Sequence, residues 1–222
     1  MTDHMEVHMR IIATLITALS ITTPAWAAGH GQPVGITSTL SSVEITQDGR
    51  VFTIERNQDN DAVIVDDYAK TSRPCPPFCV QPMTIAPGVE TIGELEMIQM
   101  LEQRNFGELD ALLIDSRTPD WAAKGMIPGA INVPWTTLSL SKSDQFTIAD
   151  VLETQFGAIA LDGLWDFSNA KTLILYCNGP WCGQSPTNIR TLLTLGYPAH
   201  KIKWYRGGMQ AWEGLGFNTV KP

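Results

Sequence analysis

At 222 residues and a net charge of −8, with 44% hydrophobic and 17% charged residues, the chain has the balance of a globular protein with one good-sized core. The acidic excess argues against nucleic acid or an anionic membrane surface as a partner.

Residues 1–27 read as a secretory signal. Ile11 to Ile21 is an apolar run, and Ala25-Trp26-Ala27 puts small residues at a cleavage position. Thr22, Thr23 and Pro24 break the run too early for a comfortable membrane span. Asp3 and Glu6 are out of place in a leader whose early positive charge is Arg10, so Met9 is the expected start of translation. The rival reading is an uncleaved N-terminal anchor, the one route to a membrane that the sequence offers. Either way the expected location is outside the cytoplasm, periplasmic or secreted, where the four cysteines can pair as disulfides. Cleavage after Ala27 would expose Ala28-Gly29-His30, a nitrogen set able to wrap Cu(II) or Ni(II). A chance histidine at a frayed terminus is the simpler reading, and neither a metal nor a cofactor is expected.

Residues 28–88 read as an N-terminal extension. Val43 and Ile45, then Phe52 and Ile54, alternate with polar residues around Asp48-Gly49, the pattern of a hairpin. Val63-Ile64-Val65 is expected to add a third strand. So small a unit needs the main domain to pack on. A proline-rich connection follows and carries Cys75 and Cys79, candidates for a local disulfide of structural or redox-active kind. Pooling all four cysteines on zinc does not suit an oxidising compartment.

From residue 89 to 222 helical and strand patterns alternate. Thr91 and Glu94 form a capping box before a helix with Leu95, Ile98 and Leu101 on one face. Ala111 to Ile114 is an apolar strand ending in Asp115-Ser116-Arg117, and Thr118 then caps a short helix opened by Pro119. Ala130 to Val133 reads as a strand and Thr147 to Phe156 as a helix. Leu173 to Tyr176 is the central strand, followed by a helix with Ile189, Leu192, Leu193 and Leu195 facing the core. Ile202 to Tyr205 is the last strand, and Met209 to Leu215 the terminal helix. The fold class is therefore α/β, a parallel sheet with helices on both faces, preceded by a small β-hairpin extension.

The central strand ends in Cys177-Asn178-Gly179-Pro180-Trp181-Cys182-Gly183-Gln184, with Ser185 as the expected cap and Pro186 at the first helical position. A thiol between a strand end and a helix N-terminus faces free backbone N–H groups and the positive end of the helix dipole. That setting favours the reactive thiolate. Cys177 reads as a nucleophile in an anion cradle made by residues 178–184; a buried strand-end cysteine is the plainer alternative.

Three blocks resemble the rhodanese (sulfurtransferase) superfamily. They are Leu113 to Arg117 with Gly125 to Pro134, then Tyr176-Cys177, then Trp204-Tyr205-Arg206-Gly207-Gly208-Met209-Gln210-Ala211-Trp212. The resemblance covers residues 90–222 and implies a single rhodanese-like domain in which Cys177 takes a sulfane sulfur from a small anionic donor and passes it to a thiol acceptor. Two departures stand out. Met126 occupies a position where the family usually has His, a change of packing. The loop after Cys177 is about two residues longer than the usual sulfurtransferase loop and holds no Lys or Arg. Without that cation the loop lacks the bidentate phosphate grip a phosphatase relies on, and thiosulfate is expected to be a poor donor.

Cys182 is either a resolving cysteine for Cys177 or a structural one at a helix entrance. Trp181 either caps the pocket or packs in the core. Asp115 and Arg117 read as an internal pair holding the strand end, and Arg206 as a source of positive potential at the pocket mouth. Two further functions stay open: a thiol–disulfide oxidoreductase built on Cys177 and Cys182, and a silent module that binds a partner.

Overall fold

The structure, a computed structural model, describes residues 33–222. The expected leader over residues 1–27 and the Ala28-Gly29-His30 set lie outside the described residues. Strands β1 (Ser42–Gln47) and β2 (Arg50–Glu55) form the hairpin, followed by one helical turn, α1 (Asp66–Ala69). The alternating part contains β3 (Glu90–Ile92), α2 (Glu94–Asn105), β4 (Ala111–Asp115), α3 (Pro119–Ala122), β5 (Ala130–Asn132), α4 (Trp135–Leu138) and α5 (Gln145–Asp150). It continues with β6 (Ile159–Leu161), β7 (Leu164–Asp166), β8 (Thr172–Tyr176), α6 (Gln184–Thr194), β9 (Ile202–Tyr205) and α7 (Gly208–Gly214).

Five strands make one sheet in the order β3-β9-β8-β4-β5, parallel at every pairing. Strands β4 and β8 are buried at every position, as strands covered on both faces must be. Their side chains alternate between two cores. Leu112, Ile114, Leu173 and Leu175 join Ile148 of α5, Leu152, and Ile189 and Leu192 of α6. Leu113, Ile174 and Tyr176 join Met97 and Leu101 of α2 and Met209 and Trp212 of α7.

The hairpin packs on this second core through Val43, Ile45 and Ile54. Asp48 (φ 50) and Gly49 (φ 73) are both left-handed, which matches the twist of a two-residue hairpin. The third strand expected at Val63-Ile64-Val65 does not form. Val63 is 87% exposed and Val65 51% exposed, while Ile64 packs on the core. A β-branched run becomes a strand only where a neighbouring strand or a covered face receives it.

The capping box also sits elsewhere. Thr91 is in β3, held extended by its pairing with Trp204 of β9, and its hydroxyl donates to the Met83 carbonyl. Helix α2 therefore starts two residues later than Thr91 implies, with the Gly93 N–H donating to the Glu96 carboxylate at 3.1 Å. Leu95 is consequently exposed, and Met97 is buried beside Ile98 and Leu101. Thr118 holds the cap position of α3 without a side-chain cap bond. Helix α5 begins at Gln145, capped by Asp144, and runs into a π-turn over Val151–Gln155. The β6–β7 hairpin, turning at Asp162-Gly163, was not foreseen from the sequence.

Candidate active site

Cys177 is the first residue beyond β8, at the carboxyl end of the central strands, where parallel α/β sheets form their sites. The backbone there is clamped from two sides. The Ser116 N–H donates to the Tyr176 carbonyl (3.0 Å), and the Met209 and Gln210 N–H groups donate to the Cys177 and Asn178 carbonyls (3.0 and 2.9 Å). Gly208 makes this clamp possible. Its φ is +56°, and a Cβ there would stand 2.3 Å from the Cys177 oxygen and 2.8 Å from the Gly179 nitrogen. We expect Gly208→Ala to cost roughly 2–4 kcal/mol from the left-handed backbone and the overpacked contact together. Urea unfolding checks this; a loss below about 1 kcal/mol would show that the clamp relaxes easily.

Helix α6 starts one residue before the expected cap. Gly183 is at the cap position, Gln184 is the first helical residue, and Ser185 and Pro186 follow inside the helix. This frees the Ser185 hydroxyl, which points at Cys177 and lies 3.2 Å from its sulfur. The Trp204 indole N–H, which can only donate, gives its proton to Ser185 Oγ at 3.1 Å. The hydroxyl proton is thereby directed to Cys177 Sγ. Burial pushes the Cys177 thiol up, but hydrogen bonds from the Cys182 thiol, from the Ser185 hydroxyl and N–H, and from the Gly179 N–H outweigh it and bring the pKa down to about 7. Cys182 moves the other way: burial and its neighbour Cys177 hold it well above the ordinary thiol value. Above about pH 7 the pair holds one thiolate, on Cys177, and one thiol.

It follows that alkylation of Cys177 rises as pH climbs through about 7 and fails below it. In Ser185→Ala we expect the midpoint to move up by about 1–2 pH units, since a hydrogen bond to a charged group is worth about 1.5–3 kcal/mol. The pH dependence of iodoacetamide modification measures it. An unmoved midpoint would mean that the hydroxyl does not stabilise the thiolate.

The expected cradle divides between the two sulfurs. Gly179 serves Cys177, whereas the backbone N–H groups of Asn178 and Gln184 act on Cys182. Pro180 has no N–H and takes part through its carbonyl, which accepts from the Gln81 N–H at 2.8 Å. Gly183 supplies the helix cap. The Gln184 side-chain oxygen lies 3.7 Å from the Cys182 sulfur, a second acceptor for the one thiol proton that Cys177 also draws on. Trp181 is half-buried, with its indole N–H on Gln210 Oε1 at 2.7 Å.

Asp115 and Arg117 form a fully buried ion pair, Nη2 to Oδ2 2.5 Å, with both oxygens also receiving Nε. Burial opposes the Arg117 charge, and Asp115 more than restores it, so the guanidinium is held protonated. Arg117 Nη1 donates to the Tyr68 hydroxyl (3.1 Å), which donates to Asn178 Oδ1 (3.2 Å). The Tyr176 hydroxyl donates to Asp115 Oδ2 and accepts from the Ile127 N–H. The pair is thus linked to the residue after Cys177 through a tyrosine of α1 that sequence reading passed over. No local signal marks Tyr68, since its contact spans 110 residues. Ser185 and Trp204 were equally unassigned to the site.

Residues 96–215, more than half of the chain, match the family described as rhodanese-like domain. The chain belongs to the rhodanese-like domain family. No protein of curated function matches it. Among solved structures it is similar to the BH2092 protein of Bacillus halodurans, with 18% identity over 60% of this chain and 77% of that one and a TM-score of 0.42. It is also similar to a thiosulfate sulfurtransferase from Pseudomonas aeruginosa, with 21% identity over 60% and 20% of the two chains and a TM-score of 0.41. For a human single-domain sulfurtransferase the identity is 22% over 56% and 96%, with a TM-score of 0.38.

The segment ahead of the matched rhodanese-like residues reaches the Cys177 loop. Cys75 and Cys79 are joined in a disulfide. Phe78, inside that small ring, meets the Trp181 indole edge-on at 5.6 Å, and the Arg73 guanidinium lies over the same indole at 3.8 Å. Arg206, expected to lend its charge to the pocket mouth, bonds the carbonyls of Gln81 and Pro82 (2.7 and 3.0 Å) and so holds this segment against the loop. A cavity of about 700 Å³ beside Arg56, Val63 and Glu213 includes none of residues 177–185. Among the described residues, no cluster of His, Cys, Asp or Glu could hold a metal, and no helix is long and apolar enough to cross a membrane.

Proposed function

We propose that this rhodanese-like protein is a sulfurtransferase that carries sulfane sulfur as a persulfide on Cys177. The observation that carries this reading is a buried cysteine at the sheet's carboxyl edge, its pKa brought down to about 7 by hydrogen bonds from Cys182 and from a Ser185 hydroxyl whose proton is aimed at the sulfur. The thiolate attacks the outer sulfur of the donor. With thiosulfate the S–S bond breaks, sulfite leaves, and Cys177 is left with one extra sulfur. A thiol acceptor then attacks that sulfur as its thiolate, forms its own persulfide and regenerates the Cys177 thiolate.

The Gly179 and Ser185 N–H groups act on the Cys177 anion, and fixed donors of this kind need no reorganisation when the thiolate is regenerated. The loop itself contains no Lys or Arg, so a small dianion gains little Coulombic attraction there. Thiosulfate is therefore a weaker donor than a monoanionic persulfide or thiosulfonate. The Cys75–Cys79 disulfide accords with the exported location that the leader implies.

The reading is tested by steady-state transfer to cyanide, following thiocyanate, with thiosulfate and with an organic thiosulfonate as donors. Turnover with a higher kcat/KM for the thiosulfonate is the expected result. Absence of turnover with both donors, in a protein whose Cys177 alkylates normally, would overturn it.

A further inference from the structure

In the transfer just described Cys182 forms no bond to the carried sulfur and acts only through its hydrogen bond on Cys177, yet the fold brings it to the nucleophile. The Cys182 N–H closes a turn onto the Gly179 carbonyl at 2.9 Å, and this turn folds residue 182 back until its carbonyl oxygen is 3.5 Å from Cys177 Sγ. Both cysteines are unpaired, in contrast to the bonded Cys75 and Cys79. Both are also almost wholly screened from solvent, at 3% and 4% exposure. An external thiol must penetrate that cover to reach a persulfide on Cys177, whereas the Cys182 thiol is already inside it.

We propose that Cys182 resolves the Cys177 persulfide within the chain, releasing the carried sulfur as hydrosulfide and leaving a Cys177–Cys182 disulfide that a dithiol reductant must reopen. This rests on the persulfide reading above. The Cys182 sulfur attacks Cys177 Sγ, a new S–S bond forms between them, and the bond from Cys177 Sγ to the added sulfur breaks. The thiol proton of Cys182 goes to the leaving sulfur, which departs as hydrosulfide. The sulfane sulfur gains two electrons, and the two cysteines lose them in forming the disulfide. A dithiol then exchanges with that disulfide, becomes oxidised itself and restores one thiolate and one thiol. The site would thus consume a sulfane sulfur and a dithiol, and yield hydrosulfide.

The arrangement of charge favours this order of events. While Cys177 is a thiolate, burial first and that neighbouring charge second keep Cys182 protonated, so the resolving residue cannot compete for the donor. Once Cys177 carries the added sulfur, the negative charge lies one atom further out and its repulsion of a Cys182 thiolate weakens. An intramolecular thiol also has the advantage of an effective concentration that no free thiol reaches.

The test uses reduced full-length protein, freed of small thiols and given one equivalent of an organic thiosulfonate. Hydrosulfide is measured, and the cysteines are mapped by mass spectrometry under non-reducing conditions. Wild type should release close to one equivalent of hydrosulfide per chain and show the 177–182 disulfide. Cys182→Ser should retain the sulfur on Cys177 and release at least about tenfold less. A wild-type protein whose Cys177 persulfide persists, or which releases hydrosulfide without the 177–182 disulfide, would overturn the inference and leave the transferase reading standing. Failure of Cys177 to take sulfur in either protein would overturn both. The wild-type result decides the matter even where the variant does not fold.

Discussion

Cys177→Ser is expected to reduce sulfur transfer to background while leaving the fold in place. The serine oxygen fits a site that is 3% exposed, and Ser185 can hydrogen-bond an alcohol as it does a thiol. What is lost is chemistry. An alcohol stays protonated near pH 7, where the thiol of this site ionises at about 7, and oxygen offers no persulfide to hand on. Removal of a covalent nucleophile elsewhere costs factors on the order of 10⁴–10⁶ in kcat, and a loss of that size lies beneath assay background. Thiocyanate formation and urea unfolding, measured side by side, check both halves. A variant that folds and retains more than about a tenth of the activity would place the chemistry on another residue.

The second large effect is on stability. Asp115→Ala removes the carboxylate that meets three hydrogen-bonding contacts from a guanidinium with no exposure at all. An uncompensated buried charge costs about 3–5 kcal/mol, which for a domain of this size lowers Tm by roughly 6–20 °C. The Tyr176 hydroxyl loses its acceptor in the same step, and the path through Arg117 and Tyr68 to Asn178 loosens. The double replacement Asp115→Ala with Arg117→Met should be less damaging than the single one, because no charge then stays behind. Calorimetry of the two proteins reads the difference. Equal or greater loss in the double variant would show that the arginine supports the loop independently of its partner.

The sheet and its covering helices were legible because their signals are local. Strand β8 is an unbroken apolar run buried at every position, and the Asp48-Gly49 turn needs left-handed residues that few other pairs supply. The position of Cys177 was legible for the same reason, as a cysteine caught between strand end and helix start. What the sequence hid depends on partners far along the chain. Thr91 reads as a helix cap until β9 claims it for a strand, and Val63 to Val65 read as a strand because a missing neighbour leaves no mark on them. Ser185 was visible as a cap but not as a donor to sulfur, since that role needs helix α6 to begin two residues earlier, at Gln184, and Trp204 to occupy the other side of its oxygen. Tyr68, Phe78 and Arg73 come from the extension that the family resemblance does not cover, and yet they contact the loop or the residue after Cys177.

The claim at the centre of this account is that Cys177 accepts sulfur as a thiolate. It is tested most directly in Cys182→Ser, where no neighbouring thiol can discharge the product, by peptide-mapped mass spectrometry after brief exposure of the reduced protein to an organic thiosulfonate at pH 8 and at pH 6. One added sulfur confined to Cys177, formed markedly faster at pH 8, is the predicted result. An unmodified Cys177, or sulfur spread over other residues, would contradict it.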